Sequence, residues 1–246
     1  MNALPKINAA YWTTLGAASV FGTNTGDFVS DQLKIGHLAG LPWLAAVLVI
    51  LFLAARYSSW KSAIFFWLII ITVRTAATNV GDAFHDFGIG FGTSLPIVLL
   101  LFAMVVGAYA RFSPARAVDD NNIRVSPLYW VCMIMAGVLG TIGGDAASFG
   151  VGLTTWGTAL VFGVAAILGL FAWRNGRILQ PIYYWITLAL IRTAGTGGGD
   201  AFAHLLGLTS STLVTGAVFF ALVAYFYWFS RSNTTESGFS QFAPAA

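Results

Sequence analysis

A tryptophan followed fifteen residues later by an aspartate recurs four times along the chain, as Trp12/Asp27, Trp67/Asp82, Trp130/Asp145 and Trp185/Asp200. Each interval has the same internal furniture. Ten residues after the tryptophan stands a small residue (Gly22, Ala77, Gly140, Gly195), after eleven a threonine (Thr23, Thr78, Thr141, Thr196), and after fourteen a glycine (Gly26, Gly81, Gly144, Gly199). Self-similarity of this kind means one supersecondary unit used four times, each copy burying its apolar face against its neighbours. The copies also alternate. Trp12 to Trp130 and Trp67 to Trp185 are both separations of 118, and only the even copies carry an arginine seven residues after the tryptophan, Arg74 and Arg192. A unit of two copies has been duplicated.

The solvent of this unit follows from composition. Of 246 residues, 58% are hydrophobic and 9% charged, with a mean hydropathy of +0.79, which is the balance of an integral membrane protein. Strongly apolar runs at 41–55, 62–73, 95–110, 156–173 and 212–229 alternate with polar-flecked runs at 10–27, 128–149 and 182–200. Each can cross a bilayer as a helix, so eight transmembrane helices are expected, two per copy. Residues 1–8 lack the pattern of a removed signal peptide, so the first span is expected to stay. Cys132 is the single cysteine, which leaves neither a disulfide framework nor a thiolate metal site.

The basic residues Lys6, Arg56, Lys61, Arg111, Arg116, Arg124, Arg174, Arg177 and Arg231 fall on one side of this topology and Lys34 alone on the other. The positive-inside rule then makes both termini cytoplasmic. The same bias accounts for the net charge of +3 with no nucleic-acid partner, and it suits anionic lipid headgroups. The expected organisation is a first half at 1–111 (copies one and two), a polar cytoplasmic linker at 112–126 with Asp119 and Asp120, a second half at 127–231 (copies three and four), and a disordered tail at 232–246 holding the only glutamate, Glu236. Together the halves form one membrane domain.

Within each copy the first span holds Gly, Thr and Asp, and the second is mostly Leu, Val, Ala and Phe. Polar spans belong inside a bundle. The first helices are therefore expected around a central axis along the membrane normal, related as parallel repeats, with the second helices facing lipid. Gly22/Gly26, Ala77/Gly81, Gly140/Gly144 and Gly195/Gly199 supply small-xxx-small faces for close helix contact. Trp12, Trp67, Trp130 and Trp185 are expected in the interfacial aromatic belt. The aspartates then lie roughly 22 Å further along, in the outer half of the bilayer.

The residues after the repeated aspartates carry the site chemistry. Asp27 and Asp31, Asp82 and Asp86, and Asp200 and His204 are each one helical turn apart, and His85 lies three residues after Asp82, so each set shares a helix face. Joined by Asp145, they form a candidate outer ring of oxygen ligands. Asp27, Asp82, His85, Asp200 and His204 are the candidate metal ligands, and such a set suits Mn²⁺, Mg²⁺ or a related divalent cation. Arg74 and Arg192, mid-span, need counterions. The repeated carboxylates are the obvious ones, either in permanent salt bridges or in competition with a cation or proton. His37 reads as an exposed loop residue.

The repeated tryptophans and the Gly-Thr-x-x-Gly-Asp type segments ending at Asp27, Asp82, Asp145 and Asp200 resemble a bacterial family of membrane-anchored proteins of unknown function. That family is built of four tandem repeats, each with two transmembrane segments and a hallmark tryptophan. The resemblance covers about 10–230 and implies an eight-span protein of the bacterial inner membrane. It brings no substrate, and where the family often has Lys and Glu this chain has Leu15 and Thr23.

Three functions suit these residues: a permease or channel-like transporter for a small cation, divalent or proton-coupled; a noncatalytic scaffold or lipid-binding protein; and an intramembrane metalloenzyme. The last lacks any His-Glu-x-x-His motif, and no phosphate-binding loop supports ATP coupling within the chain. The expectation is the first, a transporter and not an enzyme, with membrane lipids as its partners and its oligomeric state open.

Overall fold

The computed structural model describes residues 5–57, 62–113, 123–175 and 180–239, with side chains at 5–57, 64–113, 123–171 and 182–226. Among the described residues there are eight helices and no strand: α1 (Ala9–Asp27), α2 (His37–Tyr57), α3 (Ser62–Asp86), α4 (Phe91–Phe112), α5 (Pro127–Asp145), α6 (Thr155–Asn175), α7 (Gln180–Leu206) and α8 (Leu208–Phe239). Five stretches, His37–Tyr57, Ile64–Asp86, Phe91–Phe112, Pro127–Gly150 and Leu208–Phe226, are long and apolar enough to cross a membrane, and Thr155–Phe171 is a shorter apolar helix.

Local chemistry sets the helix boundaries. Asn8 caps α1 by accepting the Tyr11 amide at 3.0 Å. Ser126 caps α5 in the same way, with Pro127 at the first helical position, where its missing N–H costs nothing. Each turn from an odd-numbered helix to the next reverses through a glycine at positive φ: Gly36 (82°), Gly88 (72°), Gly152 (84°) and Gly207 (78°). A side chain there would meet the left-handed penalty that glycine escapes. After Asp27 and Asp145 the helix widens into π-helical turns, Phe28–Gln32 and Ala146–Gly150, whereas α3 and α7 run on as α-helix past Asp82 and Asp200. The glycines before the aspartates leave the helices intact, and the irregularity falls after them.

Helices α1, α3, α5 and α7 touch in a closed ring, α1 on α3, α3 on α5, α5 on α7 and α7 on α1. The outer helices complete it with an offset. Helix α2 packs on α3, α4 on α5, α6 on α7, and α8 on α1, so each second helix covers the first helix of the next pair and the last covers the first. The two halves are therefore interlocked. Ser113 and Ser126 hydroxyls bond at 2.9 Å, and the Tyr109 hydroxyl binds the Arg124 backbone, which ties the linker's ends together. Linker residues 114–122, with Arg116, Asp119 and Asp120, lie outside the described residues. Helix α8 continues to Phe239, so the change to polar composition at 232 does not end it as expected; the side chains from 227, Glu236 among them, are outside the described set.

The motif positions make the ring's contacts. A Cβ on Gly26 would lie 2.8 Å from Thr78 Cβ, on Gly81 2.7 Å from Thr141 Cγ2, on Gly144 2.7 Å from Thr196 Cβ, and on Gly199 3.0 Å from Thr23 Cβ. The glycine of each copy thus seats the threonine of the next, cyclically. One turn earlier, Gly22 abuts the Arg74 stem, Ala77 abuts Gly137, Gly140 abuts Arg192, and Gly195 abuts Ser19. Small residues let the backbones approach this closely.

The tryptophans depart from the expected interfacial belt. Trp12 and Trp67 are 7% exposed and Trp185 0%, with Trp130 half-buried. Each follows another aromatic, and that neighbour packs on the next copy's tryptophan: Tyr11 on Trp67 (5.7 Å between centroids), Phe66 on Trp130 (6.0 Å), Tyr129 on Trp185 (5.4 Å) and Tyr184 on Trp12 (5.4 Å). Eight rings close the bundle's end in a cyclic floor. An aromatic partner of matching depth lies across each helix contact, and edge and tilted ring contacts add to area burial.

Candidate functional site

Above the aromatic floor the axis holds two guanidinium groups. Arg74 and Arg192 are both fully buried, and they are treated very differently. Arg74 donates to the hydroxyls of Thr23 (2.6 Å), Thr196 (2.7 Å) and Thr141 (2.9 Å), and to the carbonyls of Gly137 (3.0 Å), Ser19 (3.4 Å) and Arg192 (3.5 Å). Three of the four repeated threonines converge on it, each with its methyl side seated against the glycine of the preceding copy. Thr23 and Thr196 pass their own protons to the carbonyls of Ser19 and Gly140. Nε, Nη1 and Nη2 of Arg192 and Oγ1 of Thr78 have no hydrogen-bond partner. The ionisable groups that act on Arg192 are Arg74 and the phenols of Tyr11, Tyr184 and Tyr129, which are chained by hydrogen bonds of 2.6 Å and 3.1 Å.

The expected arginine–aspartate salt bridges are absent among the described residues. Asp82 lies eight residues beyond Arg74, roughly 12 Å along the helix, out of reach of direct contact. Asp82, Asp27, Asp145 and Asp200 act on Arg74 only as distant charges. Neutral oxygens closer at hand solvate the cation instead, as a buried charge without a paired ion requires.

Two turns above this layer the bundle opens in a mouth of about 570 Å³ lined by Asp27, Asp82, Asp145 and Asp200, one from each inner helix. Those four are half-buried, and Asp31, His85, Asp86 and His204 stand exposed around them. All eight side chains singled out from the sequence therefore line one opening. The wall between them is apolar, with Phe91, Phe149, Ala203 and Leu208; the His85 ring stacks on Phe91 at 6.0 Å.

His37 is the member that sequence reasoning missed. At the start of α2, its side chain is only 16% exposed; Nδ1 lies 2.7 Å from Asp86 Oδ2, and Nε2 lies 3.7 Å from Asp31 and 3.8 Å from Asp82. It joins three carboxylates from two helix pairs. No repeat signal could have found it, since the residues at the same offset in the other copies are Gly92, Thr155 and Ser210. Among the described residues, no three His, Cys, Asp or Glu side chains are gathered as a preformed metal site, so Asp27, Asp82, His85, Asp200 and His204 share the mouth without converging as ligands. Cys132 is buried, its thiol toward the Val105 carbonyl.

Fold and site together define an all-helical protein with several helices able to span a membrane and an acidic mouth at one end of a plugged axis. Residues 10–59 match a family model described as Repeat of Unknown Function (DUF347), which makes the first helix pair similar to an uncharacterised repeat. No curated protein and no solved structure matches the chain.

Proposed function

We propose that the protein is a multi-pass transport protein for a small cation in the bacterial inner membrane, built of four tandem copies of the repeat. All eight helices span, and both termini are cytoplasmic. Lys6 before α1, Arg56 in the last turn of α2 and Arg111 in that of α4 stand at the aromatic end, which the positive-inside rule assigns to the cytoplasm. The mouth then faces outward.

One observation carries this reading: four carboxylates, one per inner helix, ring a single mouth, and Arg74 is committed to threonines rather than to them. A carboxylate at membrane depth costs about 2.5–3.5 kcal/mol on insertion scales, and fourfold repetition of that cost favours a shared use. Oxygen ligands with imidazoles at hand fit a divalent cation or a proton-coupled one. Two guanidinium groups and the aromatic floor block the axis below, which favours a carrier with alternating access over an open cation pore.

The thermal stability of purified protein tests it, measured across Mn²⁺, Mg²⁺, Ca²⁺, Zn²⁺ and pH beside a variant with all four repeated aspartates changed to asparagine. Stabilisation selective for one cation and lost in the variant supports a site at these residues and leads to flux measurements in liposomes. A folded variant with unchanged stability and no cation response removes the reading. It would favour a noncatalytic scaffold, the alternative supported by the motif's Gly, Thr and Trp positions all serving helix packing.

A further inference from the structure

We propose that Arg74 and Arg192 occupy the threonine cradle in turn, so that the bundle has two states exchanged by its pseudo-twofold symmetry, of which this structure is the Arg74-held one.

The two arginines are separated by the duplication distance of 118, and they stand on opposite members of the inner ring, since α3 and α7 each contact α1 and α5. Their places in the ring are equivalent, because the Arg74 stem abuts Gly22 and the Arg192 stem abuts Gly140, its counterpart in the duplication. Shifting every partner of Arg74 by the duplication gives the set that Arg192 would find. Thr23 and Thr141 exchange roles, the carbonyls of Ser19 and Gly137 exchange roles, and Thr196 is replaced by Thr78. Thr78 Oγ1 and all three guanidinium nitrogens of Arg192 are among the buried groups left without hydrogen bonds, beside Ser19 Oγ, Thr187 Oγ1 and the Asn79 amide, which lie outside this exchange. The Thr78 hydroxyl and the three Arg192 nitrogens are the ones the exchanged state would satisfy. Both arginines cannot be held at once, because they would share Thr23 and Thr141 and bring two like charges together in a buried site.

Sequence asymmetry at the floor explains which state is seen. Outside the cradle, Arg192 lies within electrostatic range of three phenols, Tyr11, Tyr129 and Tyr184, the last on its own helix, and hydrogen-bonds none of them. The equivalent of Tyr184 beneath Arg74 is Phe66, so Arg74 would find one hydroxyl fewer outside the cradle. That bias favours Arg74 inside it. A two-state element of this kind can be tipped by small differences. Exchange would tilt α3 against α7 two turns below Asp82 and Asp200, coupling it to the mouth; that coupling alone rests on the cation reading, and the exchange does not.

Arginine-selective ¹⁵N NMR of the full-length protein in nanodiscs tests it without added cation, using guanidinium Nε–H resonances assigned by Arg74→Lys and Arg192→Lys. A hydroxyl-to-guanidinium bond lost from one state shifts the balance by roughly tenfold or more. Thr196→Val, which removes a partner of Arg74 only, is expected to move Arg192 into a hydrogen-bonded environment and Arg74 out of one, whereas Thr78→Val, which removes a partner of Arg192 only, is expected to leave Arg74 held. Phe66→Tyr supplies the missing phenol and should also shift the balance toward Arg192, with no loss from the cradle. A resonance of Arg192 that is unmoved by both Thr196→Val and Phe66→Tyr overturns the proposal, and if Thr196→Val does not fold, the Phe66→Tyr result decides. The cation reading stands or falls separately, on the aspartate variant.

Discussion

A glycine in this bundle matters through what faces it. Gly81 has the methyl side of Thr141 within 2.7 Å of where a Cβ would stand, while Gly16, in α1, has nothing within 4 Å. Gly81→Ala should therefore destabilise the protein by about 1–3 kcal/mol through overpacking, whereas Gly16→Ala should stabilise it by at most about 1 kcal/mol through backbone entropy. Thermal unfolding of the two variants in one detergent reads both signs. Arg192 gives a second contrast. Its guanidinium is buried without a hydrogen bond, and a buried charge left without partners costs free energy that an apolar group of similar length avoids. Arg192→Met is expected to raise the melting temperature, and a fall would mean that the tyrosine neighbours hold Arg192 more firmly than their contacts indicate. At this scale the sequence was partly legible. Small-xxx-small spacing announced the contact glycines, because such close approach admits only small residues. The buried tryptophans had a signal too, an aromatic residue before each one (Tyr11, Phe66, Tyr129, Tyr184), which a belt of lipid-facing indoles does not need.

Sorting the helices into inner and outer ones follows from composition, since Gly, Thr and Asp cannot face lipid cheaply while Leu, Val and Phe can. Partner choice does not. Composition says that α2 faces out but not that it covers α3 rather than α1, because either neighbour offers an equivalent groove. The offset is set by the short turn through Gly36, which swings α2 over the next inner helix, and by contacts such as Gly40 against Asn79. At the closing seam the same job falls to Asn24 of α1, whose amide donates to Ser211 of α8, with Thr212 donating to the Asn24 carbonyl at 3.2 Å. This interlocking has a consequence for a chain cut between 113 and 123. Helix α4 needs α5 and α8 needs α1, so neither half can cover its own inner helices. Co-expressed halves should copurify as one complex that melts cooperatively, and each half alone should aggregate or be degraded. Two halves that fold separately would show that the contacts of α4 and α8 contribute little.

Across the whole molecule the charge is layered along the axis, with carboxylates and His37 at one end, guanidinium groups in the middle, and an aromatic floor beneath. Such layering makes accessibility a sharper test of architecture than activity. The chain has one cysteine, Cys132, and it is fully buried, so single introduced cysteines can be read without first removing it. Ala203 lines the mouth, whereas Lys6 stands at the opposite end before α1. With the orientation proposed here, a membrane-impermeant maleimide applied to intact spheroplasts should label Ala203→Cys and leave wild type and Lys6→Cys unlabelled. Inverted vesicles should reverse the pattern, because the eight-ring floor and the held guanidinium group separate the mouth from the cytoplasmic face. Saturating Mn²⁺ or Mg²⁺ should slow labelling of Ala203→Cys several-fold if the cation sits among the carboxylates beside it. Labelling of Ala203→Cys from the cytoplasmic face alone would invert the topology. Equal labelling from both faces would mean an axis open through the floor, and the closed ring of four tyrosine or phenylalanine contacts on tryptophan would then not be the resting state.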